Sequence, residues 1–138
     1  MNRIEVSRYD DGVAAVKLLG EHDMSTRGDL YEVLNPLLAQ GQRVIVDLSD
    51  TEFIDSSVLH ALVSSDQQAR NNGHHLTLQL NTEAIVKRVL EIGGLLEHLP
   101  CGTTREQAME LAWHNNGRLQ AKRDGHYRQA QRRFSEAV

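Results

Sequence analysis

Val44-Ile45-Val46-Asp47-Leu48-Ser49-Asp50-Thr51-Glu52-Phe53-Ile54-Asp55-Ser56-Ser57-Val58-Leu59 reads as a strand, a connecting loop and the start of a helix. Residues 43–48 form a short, mainly β-branched run bounded by turn residues, the pattern of a strand buried on both faces, and they predict the central strand of a sheet. After the loop, Asp55-Ser56-Ser57 supplies helix-capping side chains. Val58, Leu59, Leu62, Val63 and Ala69 then trace one face of a helix that stops near Asn71-Asn72-Gly73.

Towards the N-terminus, Ile4-Glu5-Val6 and residues 13–19 are short apolar segments separated by Tyr9-Asp10-Asp11-Gly12, which reads as a β-hairpin. Leu30, Val33, Leu34, Leu37 and Leu38 recur at helical spacing and predict a first helix over 26–39, closed by Gly41, with Pro36 able to bend its last turn. Towards the C-terminus, residues 75–80 alternate like a strand with Leu76, Leu78 and Leu80 facing the core. Asn81 or Thr82 is placed to cap a third helix carrying Ile85, Val86, Val89 and Leu90 and stopped by Gly93-Gly94. A short segment at 96–99 and a last helix after Gly102-Thr103-Thr104 complete the body; Thr103 and Glu106 have capping-box spacing. Helices alternating with strands after a hairpin predict a mixed α/β layer structure with parallel strands and right-handed crossovers.

A chain of 138 residues with 40% hydrophobic content suits one core. No apolar leader opens it and no stretch approaches a membrane span, so it reads as cytoplasmic with no membrane insertion. The net charge of −4 is uneven: residues 1–116 hold 9 Lys and Arg against 17 Asp and Glu, net −8, and residues 117–138 hold 6 against 2, net +4. An acidic body argues against direct nucleic-acid binding, which depends on clustered cations, and favours a protein partner. The domain is expected over 1–113, and 114–138 as a basic, helical extension that is either solvated or an accessory docking element.

No phosphate-binding glycine loop, metalloprotease helix or nucleophile elbow is present, and the seven histidines are scattered, so neither a catalytic residue, a metal site nor a cofactor is expected. The single cysteine, Cys101, reads as a small core or loop residue. That leaves Asp55-Ser56-Ser57. A helix cap alone explains it, worth about 1 kcal/mol. A serine at that place can equally carry a phosphate of about −1.5 to −2 charges, which free helix N–H groups and the dipole tolerate. Such a phosphate would disturb a partner packed on the first turn rather than the fold.

The run from Val44 to Leu59, with Asp47-Leu48 and Phe53-Ile54-Asp55-Ser56-Ser57 in order, resembles the signature of STAS-domain anti-sigma-factor antagonists. Gly20-Glu21-His22-Asp23 is similar to that family's Gly-Glu-Leu-Asp, and Val86-Lys87-Arg88-Val89-Leu90 with Gly93-Gly94-Leu95-Leu96 extends the match over about residues 3–113. The resemblance implies a mostly parallel sheet of four or five strands with helices mainly on one face. It implies a regulator that binds an anti-sigma factor which is also a serine protein kinase, is released when that kinase phosphorylates it, and is reset by a metal-dependent serine phosphatase. Carried onto this chain, the phosphorylated residue is Ser56, and Asp23, Ser25, Thr26, Asp55, Ser57, Val58 and His60 form the partner-binding surface. Val58 stands where the family commonly has glycine, His60 where the residue is usually small, and His22 where leucine is usual. The alternative reading is a phosphorylation-independent scaffold subunit of a signalling assembly or a transporter. Whether the chain is a monomer or a homodimer, and whether Ser56 or Ser57 takes the phosphate, stay open at this point.

Overall fold

In chain order the elements are β1 (Asn2–Arg8), β2 (Val13–His22), α1 (Met24–Ala39), β3 (Arg43–Asp47), β4 (Thr51–Ile54), α2 (Ser56–Asn71), β5 (Thr77–Gln79), α3 (Ile85–Ile92), α4 (Leu95–His98), β6 (Cys101–Gly102) and α5 (Arg105–His114). They come from a computed structural model that describes residues 2–81 and 85–114. The start of the third helix at Thr82 and, apart from His114, the basic extension at 114–138 lie outside the described residues.

The strands form one sheet in the order β1-β2-β3-β5-β6, with β4 pairing β2 beyond the end of β3. Only β1 is antiparallel, held in the expected hairpin with β2; the other pairings are parallel. The run at 43–48 is the middle strand, as its unbroken apolar pattern requires, and Val44, Ile45 and Val46 are fully buried.

Side-chain alternation divides the sheet into two faces. Ala14, Val16 and Leu18 of β2, Val44 and Val46 of β3, and Leu76, Leu78 and Leu80 around β5 enter the main core. There they meet Leu30, Leu34, Leu37 and Leu38 of α1, Val58, Ala61 and Leu62 of α2, Val86 and Leu90 of α3 and Leu95 of α4. Each fully buried leucine contributes about 1.5–3 kcal/mol over an exposed one, so this face supplies most of the stabilisation. Val13, Ala15 and Ile45 point the other way and are covered by Ala108 and Ala112 of α5. Four of the described helices thus share one face, matching the expected one-sided arrangement, and α5 closes the second.

Four readings need correction. The loop expected at 49–54 contains the strand β4, hidden because its four residues Thr-Glu-Phe-Ile bury only the two ends and show no clean alternation. With the two-residue β6, the described sheet has six strands rather than four or five. The first helix starts at Met24, because Asp23 is its N-cap and Thr26 completes the capping box. At α5 the capping spacing slides by one residue: Thr104 Oγ1 accepts from the Gln107 N–H (3.1 Å), and Gln107 Oε1 accepts from both the N–H and the hydroxyl of Thr103 (2.9 Å each).

Candidate functional site at paired helix N-termini

β2 and β4 run parallel and end level, with Glu21 beside Phe53 and His22 beside Ile54. Each strand then passes through one extended aspartate into a helix, Asp23 into α1 and Asp55 into α2. The Asp55 N–H donates to the His22 carbonyl (3.3 Å), which locks the two turns together. Two helix N-termini, each with N–H groups that have no partner within the helix and a positive dipole end, therefore open at one place on the surface.

The two caps use the same chemistry. Asp23 Oδ1 accepts from the Ser25 N–H (2.9 Å) and hydroxyl (2.5 Å). Asp55 Oδ1 accepts from the Ser57 N–H (3.0 Å), the Ser57 hydroxyl (2.6 Å) and the Val58 N–H (3.2 Å). The Ser25 hydroxyl and N–H hold the Asp23 carboxyl below the ordinary carboxylate range, although Asp55 across the gap opposes them. Partial burial pushes Asp55 upward, but the Ser57 hydroxyl and the N–H groups of Val58, Ser57 and Met24 together outweigh it and leave it lowered. Both carboxylates are therefore charged at neutral pH. Ser56 differs from its neighbours: it is the first residue of α2, its side chain is exposed, and among the described residues its hydroxyl has no hydrogen-bond partner.

The STAS domain family matches residues 6–108 of this chain. The chain belongs to the STAS domain family. A relative of this STAS domain is the anti-sigma-B factor antagonist of Bacillus subtilis, 25% identical over 107 residues, which cover 78% of this chain and 96% of that protein. Among solved structures, an anti-sigma factor antagonist from Mycobacterium paratuberculosis superposes with a TM-score of 0.72 at 23% identity, covering 82% of this chain and 95% of the other. The Bacillus cell-fate determinant SpoIIAA in its phosphorylated form superposes at 0.60 with 17% identity, over 78% and 97% of the two chains. At such identities the superpositions show a shared fold. The expected STAS architecture is thereby borne out.

Within this STAS domain the residues singled out from the sequence separate into surface and core. Asp23, Ser25, Ser56 and His60 are exposed, and Asp55 and Ser57 are half-buried; all but His60 stand in the cap or first turn of the two N-termini, and His60 lies a turn further along α2. Val58 and Thr26 do not face outward as expected. Val58 is fully buried in the main core, because the third residue after the cap turns under the helix. Its bulk in place of glycine therefore fills the interior and leaves the first turn of α2 no larger on the outside. Thr26 is 5% exposed and works as the capping-box hydroxyl, accepting from the Asp23 N–H (3.2 Å).

His22, a departure from the usual leucine, is 1% exposed and fully engaged. Its Nε2 lies 2.9 Å from the Leu19 carbonyl, which can only accept, so Nε2 carries a proton; Nδ1 lies 3.3 Å from Thr26 Oγ1. The ring thus ties the end of β2 to the first turn of α1. Two exposed apolar side chains, Met24 (68% exposed) and Phe53 (45%), stand at the start of α1 and on β4 beside the caps, and the sequence reading missed both. Their signal was available only as apolar residues next to each cap, Met24 directly after Asp23 and Phe53 two residues before Asp55.

A second missed group lies under α5. Asp47, 2% exposed, accepts through Oδ2 from Arg105 Nη2 (2.6 Å) and through Oδ1 from the Ser49 N–H (2.9 Å) and hydroxyl (2.6 Å). Arg105 also donates to Gln79 Oε1 (2.6 Å) and to the Tyr9 hydroxyl (2.8 Å). A carboxylate inside a buried strand requires a cation, and that requirement was legible at Asp47; which of the downstream cations supplies it was not. Among the described residues no group of three or more His, Cys, Asp or Glu side chains could hold a metal ion, and no helix is long and apolar enough to cross a membrane.

Proposed function

We propose that this STAS domain is an anti-sigma-factor antagonist that binds a serine-kinase anti-sigma factor through the paired helix N-termini and is released by phosphorylation of Ser56. The single observation that carries the choice of residue is the contrast between adjacent hydroxyls. Ser57 Oγ is half-buried and committed to Asp55 at 2.6 Å, whereas Ser56 Oγ is exposed and unbonded among the described residues, so a kinase reaches it without breaking a cap. The relatives support the class of function: one is named an anti-sigma-B factor antagonist, and another of like fold is described in a phosphorylated form.

Asp55 already occupies the N–H groups of Ser57 and Val58. A phosphate on Ser56 therefore gains little from the helix terminus and projects into solvent beside the carboxylates of Asp55 and Asp23. The fold is kept, since every cap bond stays in place. The surface changes from two buffered carboxylates to a patch with about −1.5 to −2 additional charges. A partner that packs on Met24 and Phe53 and faces those carboxylates then meets an uncompensated, strongly hydrated dianion, and desolvating it opposes binding. A metal-dependent serine phosphatase restores the binding form.

The test is intact-mass measurement of the protein after incubation with ATP and the serine-kinase anti-sigma factors of its own organism, beside Ser56→Ala and Ser57→Ala. One phosphate on wild type and on Ser57→Ala, with none on Ser56→Ala, is the expected result. Binding of the same anti-sigma factor should weaken at least tenfold in Ser56→Asp; equal affinity for wild type and Ser56→Asp would refute the switch.

A further inference from the structure

Among the described helices α5 alone covers the second face of the sheet, and its apolar hold there is small. The cluster beneath it has five buried residues, Val13, Ala15, Ile45, Ala108 and Ala112, against twenty-two in the main core on the other face. α5 itself gives that cluster two alanines, with Met109 partly buried beside them. Hydrophobic stabilisation scales with the apolar area buried, so two methyl groups hold a helix far more weakly than the four leucines that hold α1.

Polar contacts at its two ends supply the rest. At the start, Arg105 donates to Gln79 Oε1 (2.6 Å), the Tyr9 hydroxyl (2.8 Å) and Asp47 Oδ2 (2.6 Å). At the end, Arg43 Nη1 donates to the carbonyls of Ala112 (2.8 Å) and Trp113 (3.1 Å), and its guanidinium lies 5.3 Å from the centre of the Trp113 ring. Trp113 Nε1 in turn donates to Asp11 Oδ2 (2.6 Å). Trp113 is 44% exposed and both arginines are half-buried, so water can replace these bonds. A hydrogen bond exchanged for one to water has little net value, and a buried ion pair is offset by the cost of desolvating its charges. Few buried apolar groups and hydrogen bonds at the solvent edge are the marks of a segment that opens below the free energy of global unfolding.

We propose that α5 is a strap, pinned by Arg105 at its start and Arg43 at its end, that lifts from the sheet as one unit while the sheet and the helices of the other face stay folded. The lifted state bares Val13, Ala15 and Ile45 as a second apolar face. It leaves the caps of α1 and α2 in place, since those helices pack on the opposite side of the sheet.

The test is amide hydrogen exchange of the full chain at neutral pH, read residue by residue by NMR and divided into intrinsic rates to give protection factors. The expected result is one common protection factor for Ala108, Met109, Leu111 and Ala112, at least tenfold below that of Val44 and Val46 in β3. Val86→Ala trims the main core on the far face. It should lower protection of Val44 and Val46 at least tenfold and leave α5 within about twofold of wild type, because the loss is common to the native and the lifted state. Ile54→Val makes the same comparison with a milder change. Arg43→Met should lower protection in α5 and β3 by one common factor of about three or more, since the pin is absent from the lifted and the unfolded chain alike. Equal protection in α5 and β3, or a Val86→Ala effect of the same size on both, overturns the strap, because α5 then opens only with the whole domain. Protection that falls steadily from Ala108 to Ala112 overturns it as fraying of a chain end rather than lifting of a unit. Unchanged α5 protection in Arg43→Met overturns the pin.

Discussion

Alanine substitutions at Asp55, Ser56 and Ser57 separate a residue that builds the α2 terminus from one that is free to be modified. Asp55→Ala removes the acceptor of the Ser57 and Val58 N–H groups and the Ser57 hydroxyl, at 3.0, 3.2 and 2.6 Å, and of the Met24 N–H at the start of α1. Loss of an N-cap costs about 0.5–2 kcal/mol, and three donors on one oxygen place this cap toward the upper end, about 2 kcal/mol. Ser57→Ala deletes one hydroxyl that donates to a carboxylate but leaves both backbone bonds, so about 0.5–1 kcal/mol is expected. Ser56→Ala deletes a hydroxyl without a partner on an exposed first-turn position and should stay within about 0.5 kcal/mol of wild type. Urea unfolding followed by far-ultraviolet dichroism at pH 7 measures all three. In thermal terms the Asp55→Ala loss is a shift of about 4–8 °C, since 1 kcal/mol corresponds to about 2–4 °C in a domain near this size. The reasoning fails if Ser56→Ala destabilises as much as Ser57→Ala, because the Ser56 hydroxyl would then be a working cap and its phosphorylation would disturb the fold as well as the partner.

Arg105→Met should destabilise by about 3 kcal/mol in the same assay, because it strands the buried Asp47 carboxylate; partial exposure of Arg105 keeps the cost from being larger, and Asp47→Asn/Arg105→Met should recover part of it. Burial, with Arg43 and His75 beside it and against the pull of Asp66, lowers the pKa of His74 below the ordinary histidine value. The unfolded chain then binds that proton first, so stability contributed by neutral His74 is present above about pH 6.5 and lost as pH falls from there through the lowered folded value; His74→Leu should flatten the fall in unfolding free energy between about pH 7 and 5. Burial pushes the Cys101 thiol up to about 12, and its Sγ donates to the Leu99 carbonyl at 3.3 Å. Disulfide-exchange reagents should leave it unmodified in the native protein at pH 8 and react fully after unfolding in urea.

The order of elements was open to reading because it rests on local periodicity. The unbroken run at 43–48 declared a strand buried on two faces, and the leucines of α1 and the apolar face of α2 declared helices covering it. Asp55-Ser56-Ser57 was legible as a cap for the same reason, since capping joins residues two or three apart in sequence. β4 escaped because four residues pairing over a short stretch of β2 carry no period of their own. Val58 was read correctly on the apolar face of α2, but it and Thr26 were also assigned to the partner surface, because a helix N-terminus announces its donors and not the rotation of its first turn against a sheet.

The amino-acid sequence by itself determined the α/β class, the central strand, the two helices and the cap of α2, all consequences of interactions within a few residues. Only the tertiary structure decided that Asp23 and Asp55, 32 positions apart, cap adjacent helices at one surface, that Arg105 of α5 answers Asp47 of β3, and that Ser56 is free where Ser57 is held. Those facts depend on strand register and on which helix packs over which face, and register is set by burial of the whole sheet rather than by any local segment.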